Sequence, residues 1–193
     1  MKTPWTWSCV LLALTLLLGA CYPAYGNPVK QAVPSRAPQA RELSLAGLRL
    51  PNPQTCVVHA IDLIGAWVSA GSPERDPFAF LDVSGQPCHG NFDADVLPLF
   101  QQANLWFPGA LSCRTCHGPD VNVSYARLDM SSFAGILAGS GRESVDKKGD
   151  DILGAGEWQS AKLFDKLSHG EMPPNGPKGL DPRGPAVTAG AAD

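Results

Sequence analysis

The feature that most constrains this chain is the pentapeptide Cys113-Arg114-Thr115-Cys116-His117. The Cys-x-x-Cys-His spacing is that of covalent attachment of a c-type haem. Two thiols on one helical turn can each add to one vinyl group, and the adjacent imidazole is then held against the iron. The sequence therefore predicts one haem c, joined through Cys113 and Cys116, with His117 as an axial iron ligand.

Other uses of a Cys-x-x-Cys pair fit the sequence less well. Such a pair can be a redox dithiol or half of a zinc site, but zinc needs a second pair of ligands and none follows at the usual spacing. His89 follows Cys88, yet Gly85 stands where the first cysteine of a second haem motif would be. A haem held by Cys88 alone is left as an alternative to the single haem at Cys113.

A haem that only carries electrons needs a sixth iron ligand, and Met172 is the predicted one. Residues 160–169 have the apolar spacing of a helix, and the following Gly170 and Pro173 force an extended loop. A methionine on this stiffened loop can present its thioether to the distal side of the haem, and His/Met ligation raises the potential of the iron relative to bis-His ligation. His169 and Met130 are the rival distal ligands.

The N-terminal 20 residues predict export. Lys2 precedes an apolar run over residues 10–18, which is too short to span a membrane and has the length of a signal-peptide core. The run ends in Leu-Gly-Ala before Cys21, which resembles the lipid-attachment pattern of bacterial lipoproteins and implies cleavage before Cys21 and acylation of that residue. The alternatives are cleavage after Ala20 with a free Cys21, and an uncleaved membrane anchor.

Export changes how the remaining thiols are counted. Cys9 leaves with the signal peptide, Cys21 takes lipid, and the haem motif takes two more, so Cys56 and Cys88 remain. In an oxidising compartment this pair is expected to form a disulfide. Two separately buried thiols are the alternative.

The rest of the chain divides by composition into four segments. Residues 21–45 are rich in Pro and Ala without apolar periodicity and are expected to form a tether, or to lie along a partner protein. Residues 46–92 contain the clearest helical pattern, over 56–71, and a loop or short hairpin over 72–91 with its turn at Ser84 and Gly85. Residues 93–175 form the expected haem domain, which opens with a helix over 93–104. Residues 176–193, dominated by Pro, Gly and Ala, are expected to be a flexible tail.

Residues 93–174 resemble the class I cytochrome c superfamily, through the haem motif and Met172. This resemblance implies an all-α fold around one haem. Residues 63–73 look like the closing C-terminal helix of small cytochromes c, yet they precede the haem motif. We therefore expect a circular permutation in which the Trp67 helix replaces that closing helix; a separate N-terminal subdomain is the competing possibility.

The lipoprotein pattern, the tether and the single haem together resemble the mono-haem cytochrome subunit of alternative complex III, a quinol-oxidising complex of bacterial respiratory or photosynthetic chains. That resemblance implies lipid anchoring through Cys21 on the extracytoplasmic, periplasmic side of the cytoplasmic membrane. It also implies partner subunits that include a multi-haem cytochrome and an iron-sulfur protein. Electrons would pass from the multi-haem subunit to a soluble acceptor.

Composition and motifs limit the other classes of function. The net charge is −3 and the basic residues are scattered, so we expect no nucleic-acid partner. There is no nucleophile elbow, P-loop or dinucleotide-binding glycine pattern, and we expect an electron carrier and no enzyme of its own. The alternatives are a free membrane-tethered carrier, a haem sensor or peroxidase-like enzyme with an open sixth position, and a largely structural subunit.

Overall fold

A computed structural model describes residues 55–192. The predicted signal peptide, the lipid attachment at Cys21 and the tether over residues 21–45 lie outside this range. Among residues 55–192, no helix is long and apolar enough to cross a membrane.

The described part begins with a short strand that leads directly into a buried helix. Strand β1 covers Cys56–His59 and helix α1 covers Ala60–Ser69. The helix forms because its apolar residues recur at helical spacing and bury one face, with Trp67 fully buried, and it stops before Gly71, whose φ of 87° suits a helix end. The predicted helix is therefore present but starts four residues later than expected, because residues 56–59 pair as a strand.

A β-hairpin follows α1. Strands β2 (Phe78–Leu81) and β3 (Pro87–Gly90) pair antiparallel, with Phe78 opposite Gly90. The Oδ1 atom of Asp82 organises the turn by accepting hydrogen bonds from the Ser84 N–H at 2.8 Å, the Ser84 hydroxyl at 2.6 Å and the Gln86 N–H at 2.9 Å. The hairpin alternative predicted for this segment is confirmed.

The middle of the chain forms short helices. A π-helical turn, Phe92–Val96, leads into α2 (Leu97–Gln101), which begins at Leu97 because Pro98 is tolerated only in a first turn. Helix α3 is Cys113–Cys116, α4 is Phe133–Ala138, and α5 is Lys162–Ser168. The helix predicted over residues 93–104 is therefore shorter and partly π-helical.

The C-terminal residues complete two antiparallel sheets. Strand β4 (Ala186–Ala189) pairs with β1, and β5 (Ala191–Ala192) pairs with β3, which gives a two-stranded sheet and a three-stranded sheet in the order β2-β3-β5. The expected flexible tail over residues 176–193 is thus wrong for residues 186–192. Backbone pairing with distant strands fixes this segment although its small side chains bury little surface.

The expectation of an all-α cytochrome fold, permuted or not, is also wrong. Five helices and five strands make the described part of the chain a mixed α/β structure. The strands have two to four residues each, and the pairings of β1 with β4 and of β3 with β5 join residues far apart in the chain, so local periodicity does not predict them. Helix α1 is a core helix, as predicted, but its neighbours include β2 of the three-stranded sheet.

One core joins the two sheets and the helices. The predicted disulfide between Cys56 and Cys88 is present, and it links β1 of one sheet to β3 of the other. Both cysteines are almost fully buried, and so are the rings of Trp67 and Phe92. The disulfide and these aromatic rings lie in the same cluster of buried residues.

Candidate haem site

The two motif thiols lie on one short helix. Ser112 precedes α3 in an extended conformation, and its hydroxyl lies 2.8 Å from the Thr115 hydroxyl, which closes the first turn. Cys113 and Cys116 are the free thiols of the described residues, and both are half-buried. The structure thus places both thiols on one helical turn, as haem attachment requires.

The imidazole of His117 is held in one tautomer. His117 ends α3, and its backbone N–H donates to the Cys113 carbonyl at 2.9 Å. Its Nδ1 atom lies 2.9 Å from the carbonyl oxygen of Tyr125. Because a carbonyl only accepts, Nδ1 must carry the proton, and this leaves the lone pair on Nε2 for a metal.

The environment of Cys113 disfavours the redox-dithiol reading of the motif. Burial, with a smaller contribution from the neighbouring Cys116, raises the pKa of the Cys113 thiol to about 11. Cysteines that exchange disulfides have lowered pKa values, because the thiolate is the nucleophile. The thiol of Cys113 therefore stays protonated at neutral pH.

Met172 borders a cavity of about 440 Å³, a size typical of small-molecule and cofactor sites. The backbone N–H groups of Met172 and Glu171 both donate to the Lys166 carbonyl at 3.0 Å, which folds the loop back on α5. The peptide bond between Met172 and Pro173 is cis. Met172 is 39 % exposed, in contrast to the buried Met130.

Aromatic rings and a Pro- and Gly-rich strap form the rest of the cavity wall. Trp106 and Phe107 lie on one side, and residues 176–181 with Gly184 and Pro185 lie on another. Three hydrogen bonds fasten this strap to the start of α1. The Ala60 N–H donates to the Pro185 carbonyl at 2.9 Å, and the Ile61 N–H donates to the Arg183 carbonyl at 3.0 Å. Nδ1 of His59 donates to the Gly184 carbonyl at 3.0 Å.

The structure brings together only part of the predicted ligand set. Cys113, Cys116 and His117 share one helical turn, whereas Met172 lines a cavity whose wall does not include those three residues. The assignment of Met172 as the distal ligand stays a prediction.

The rival distal ligands differ from each other: His169 lines the same cavity as Met172, whereas Met130 does not. The Nδ1 atom of His169 lies 2.9 Å from the Asp165 carbonyl and 3.2 Å from the Asp165 carboxylate, so this ring is tied to its own helix. Met130 is buried in the core at 3 % exposure, and its N–H donates to the His117 carbonyl at 2.8 Å. Of the two methionines, Met172 is the one at a cavity.

Sequence reasoning missed two groups at this site. The Tyr125 carbonyl is one, and it acts through the backbone, which no side-chain pattern encodes. The strap over residues 176–185 is the other, because Pro and Gly were read as signs of a flexible tail. Gly184 instead permits a close approach to Trp106, because an added Cβ would lie 2.9 Å from the ring.

The donor set fits a covalently attached haem. It offers two free thiols on one turn and an imidazole with a free Nε2 atom. Among residues 55–192, no three His, Cys, Asp or Glu side chains cluster around a common metal position. A haem iron needs no such cluster, since the porphyrin supplies four of its ligands.

No model of a known protein family matches this chain, and comparison with curated proteins finds no match either.

Proposed function

We propose that this protein is a mono-haem c-type cytochrome that carries single electrons. The observation that carries the proposal is the His117 Nδ1 contact with the Tyr125 carbonyl beside two free thiols on one helical turn. This contact is the arrangement that orients a metal-binding imidazole. The mixed α/β fold departs from the all-α domain of class I cytochromes, so the proposal rests on the motif and its geometry.

The chain's own residues have defined tasks in this function. Cys113 and Cys116 would hold the haem through thioether bonds, each formed when a thiol adds across one vinyl group and its hydrogen goes to the other vinyl carbon. His117 would bind the iron through Nε2, and Met172 is the proposed second protein ligand. Haem c bound there would supply an iron that takes one electron from a donor and passes one electron to an acceptor.

The proposed setting is the extracytoplasmic face of a bacterial membrane, with Cys21 lipidated. The proposed donor is a multi-haem subunit of a quinol-oxidising complex of the alternative complex III type, and the acceptor is a soluble protein. The sequence pattern around Cys21 and the resemblance to that complex's mono-haem subunit support this setting. A free membrane-tethered carrier differs from it only in having no fixed partner.

The first test is covalent haem attachment. The full chain is produced in a bacterial host that matures c-type cytochromes, and the intact mass is measured after denaturation. We expect one haem on the wild type and none on the Cys113→Ala/Cys116→Ala variant. The Cys56→Ala/Cys88→Ala variant is the matched control, since it also removes two cysteines and is expected to keep its haem. A wild type without covalent haem contradicts the proposal.

The second test addresses the partners. The protein is purified from its native membranes in mild detergent, and the band that contains it is analysed by haem staining and mass spectrometry. Co-migration with multi-haem and iron-sulfur subunits supports the complex. Migration alone with one haem supports the free carrier and removes the complex from the proposal.

A further inference from the structure

We infer that Ser124 is a positioning residue for His117, because its hydroxyl holds the loop that aims the Tyr125 carbonyl at Nδ1 of the imidazole. This inference rests on the proposed function, and it assigns a role to a side chain outside the haem motif. It concerns residues 120–128, the loop that follows the motif helix.

The hydroxyl of Ser124 lies among three backbone carbonyls. It makes a short hydrogen bond to the Leu128 carbonyl, and it lies 3.4 Å from the carbonyls of Cys116 and Tyr125. Cys116 belongs to the motif helix, whereas Leu128 ends the loop. Because a hydroxyl has one proton to donate, the short bond to Leu128 is the hydrogen bond that closes the loop, and the carbonyls of Cys116 and Tyr125 are close contacts.

The loop adopts a backbone conformation that its sequence does not favour. Ala126 and Arg127 have φ values of 56° and 47°, in the left-handed region that residues with a Cβ avoid. The Gly141 N–H donates to the Ala126 carbonyl at 2.7 Å and helps to hold this turn. Such strain persists only where the surroundings enforce it, and it concentrates at functional sites.

The strained turn directs the Tyr125 carbonyl and the Tyr125 side chain differently. The side chain is 72 % exposed, whereas the carbonyl meets Nδ1 of His117 at 2.9 Å. The Leu128 N–H also donates to this carbonyl, at 3.3 Å. Tyr125 therefore contributes its backbone oxygen to this contact. The hydroxyl of Ser124 links the start of the turn to Leu128 at its end.

A well-placed acceptor at Nδ1 fixes the ring orientation and makes the imidazole a stronger electron donor at Nε2. Stronger donation favours the oxidised state of a bound iron and lowers its reduction potential. Weakening the contact between the Tyr125 carbonyl and Nδ1 of His117 is therefore expected to raise the reduction potential of the bound iron. It is also expected to expose the Nδ1 proton of His117 to solvent.

The test compares Ser124→Ala with two other variants in the haem-loaded full chain. Ser160→Ala is the matched control, because its hydroxyl also donates to a backbone carbonyl, that of Glu157 at 2.9 Å, in another exposed turn. Ser124→Thr keeps the hydroxyl. The readouts are the reduction potential and, by NMR of the reduced protein, the hydrogen exchange rate of the His117 Nδ1 proton.

In Ser124→Ala we expect exchange about tenfold faster than in the wild type, the factor that accompanies the loss of one hydrogen bond, together with a higher potential. Ser124→Thr and Ser160→Ala should both match the wild type. The inference is overturned if Ser124→Ala matches the wild type in both readouts, or if Ser160→Ala changes them equally. The haem content of the wild type is measured first, so failure of the proposed function is seen separately.

Discussion

The indole ring of Trp67 lies 5.0 Å from the phenyl ring of Phe92, measured between ring centroids, and both rings are fully buried. Phe133 meets both of them edge-on, at 6.3 and 5.1 Å. These three aromatic rings join α1, the π-helical turn and α4, which come before and after the haem motif in sequence. The helix that precedes the motif therefore shares its core with the segments on either side of that motif.

Helix α1 also makes a close contact through Gly65. A Cβ at this position would overlap the indole ring of Trp158, so we expect Gly65→Ala to lower the free energy of unfolding by about 1 to 3 kcal/mol although alanine favours helices. Urea unfolding measures the change. In a Trp158→Leu background the same substitution should be neutral or stabilising. An equal loss in both backgrounds would show that the indole is not the obstacle.

The disulfide is expected to be a main source of stability. It closes a loop with a sequence separation of 32 residues, which in the chain-entropy model is worth about 4 kcal/mol. The Cys56→Ala/Cys88→Ala variant should lose about this much in urea unfolding, because its unfolded chain is less restricted. Wild-type protein with reduced and alkylated cysteines is a poorer comparison, since the added groups do not fit a buried site. A loss below about 1 kcal/mol would contradict the prediction.

The hairpin turn predicts a pH dependence at acid pH. Hydrogen bonds from Ser84 and Gln86 lower the pKa of the exposed Asp82 carboxyl below its ordinary value. A lowered pKa contributes stability above the unfolded-state value of about 3.9, and this contribution is lost as the pH falls through the folded-state value. We expect Asp82→Asn to flatten the stability profile of the wild type below about pH 4.

The proposed axial role of Met172 predicts a change in ligand binding. In the reduced wild type we expect no carbon monoxide binding, because both axial positions are occupied. Met172→Ala should bind carbon monoxide at every haem, as seen in the absorption spectrum. His169→Ala and Met130→Leu should both behave as the wild type. Carbon monoxide binding by the wild type would instead support a sensor or peroxidase-like function.

Local sequence signals predicted the features that short segments determine. The hairpin turn was placed at Ser84 and Gly85, where the structure has it. The two motif thiols lie on the four-residue helix α3, and His117 follows it directly. In the hairpin turn and the motif helix, the hydrogen bonds join residues only two to four positions apart.

Features that depend on distant partners could not be predicted in the same way. Residues 56–59 continue the apolar stripe of α1, and only the pairing of Cys56 with Ala189 makes them a strand. Strand β4 has only four residues and stands among Pro and Gly residues, so Val187 and Thr188 alone do not identify it as a strand. At the candidate site, the Tyr125 carbonyl belongs to the backbone of a left-handed turn formed by residues that do not favour that conformation.

The pairing of β1 with β4 also sets the order in which the chain can fold. His59 and Gly184, which lie at the end of β1 and just before β4, are hydrogen-bonded across 125 residues of sequence. Closing so long a loop is slow, and β1 has no strand to pair with until nearly the whole chain has been synthesised. The first strand of the described fold therefore finds its partner only after residues 186–189 have been synthesised, so the two-stranded sheet is a late step of folding.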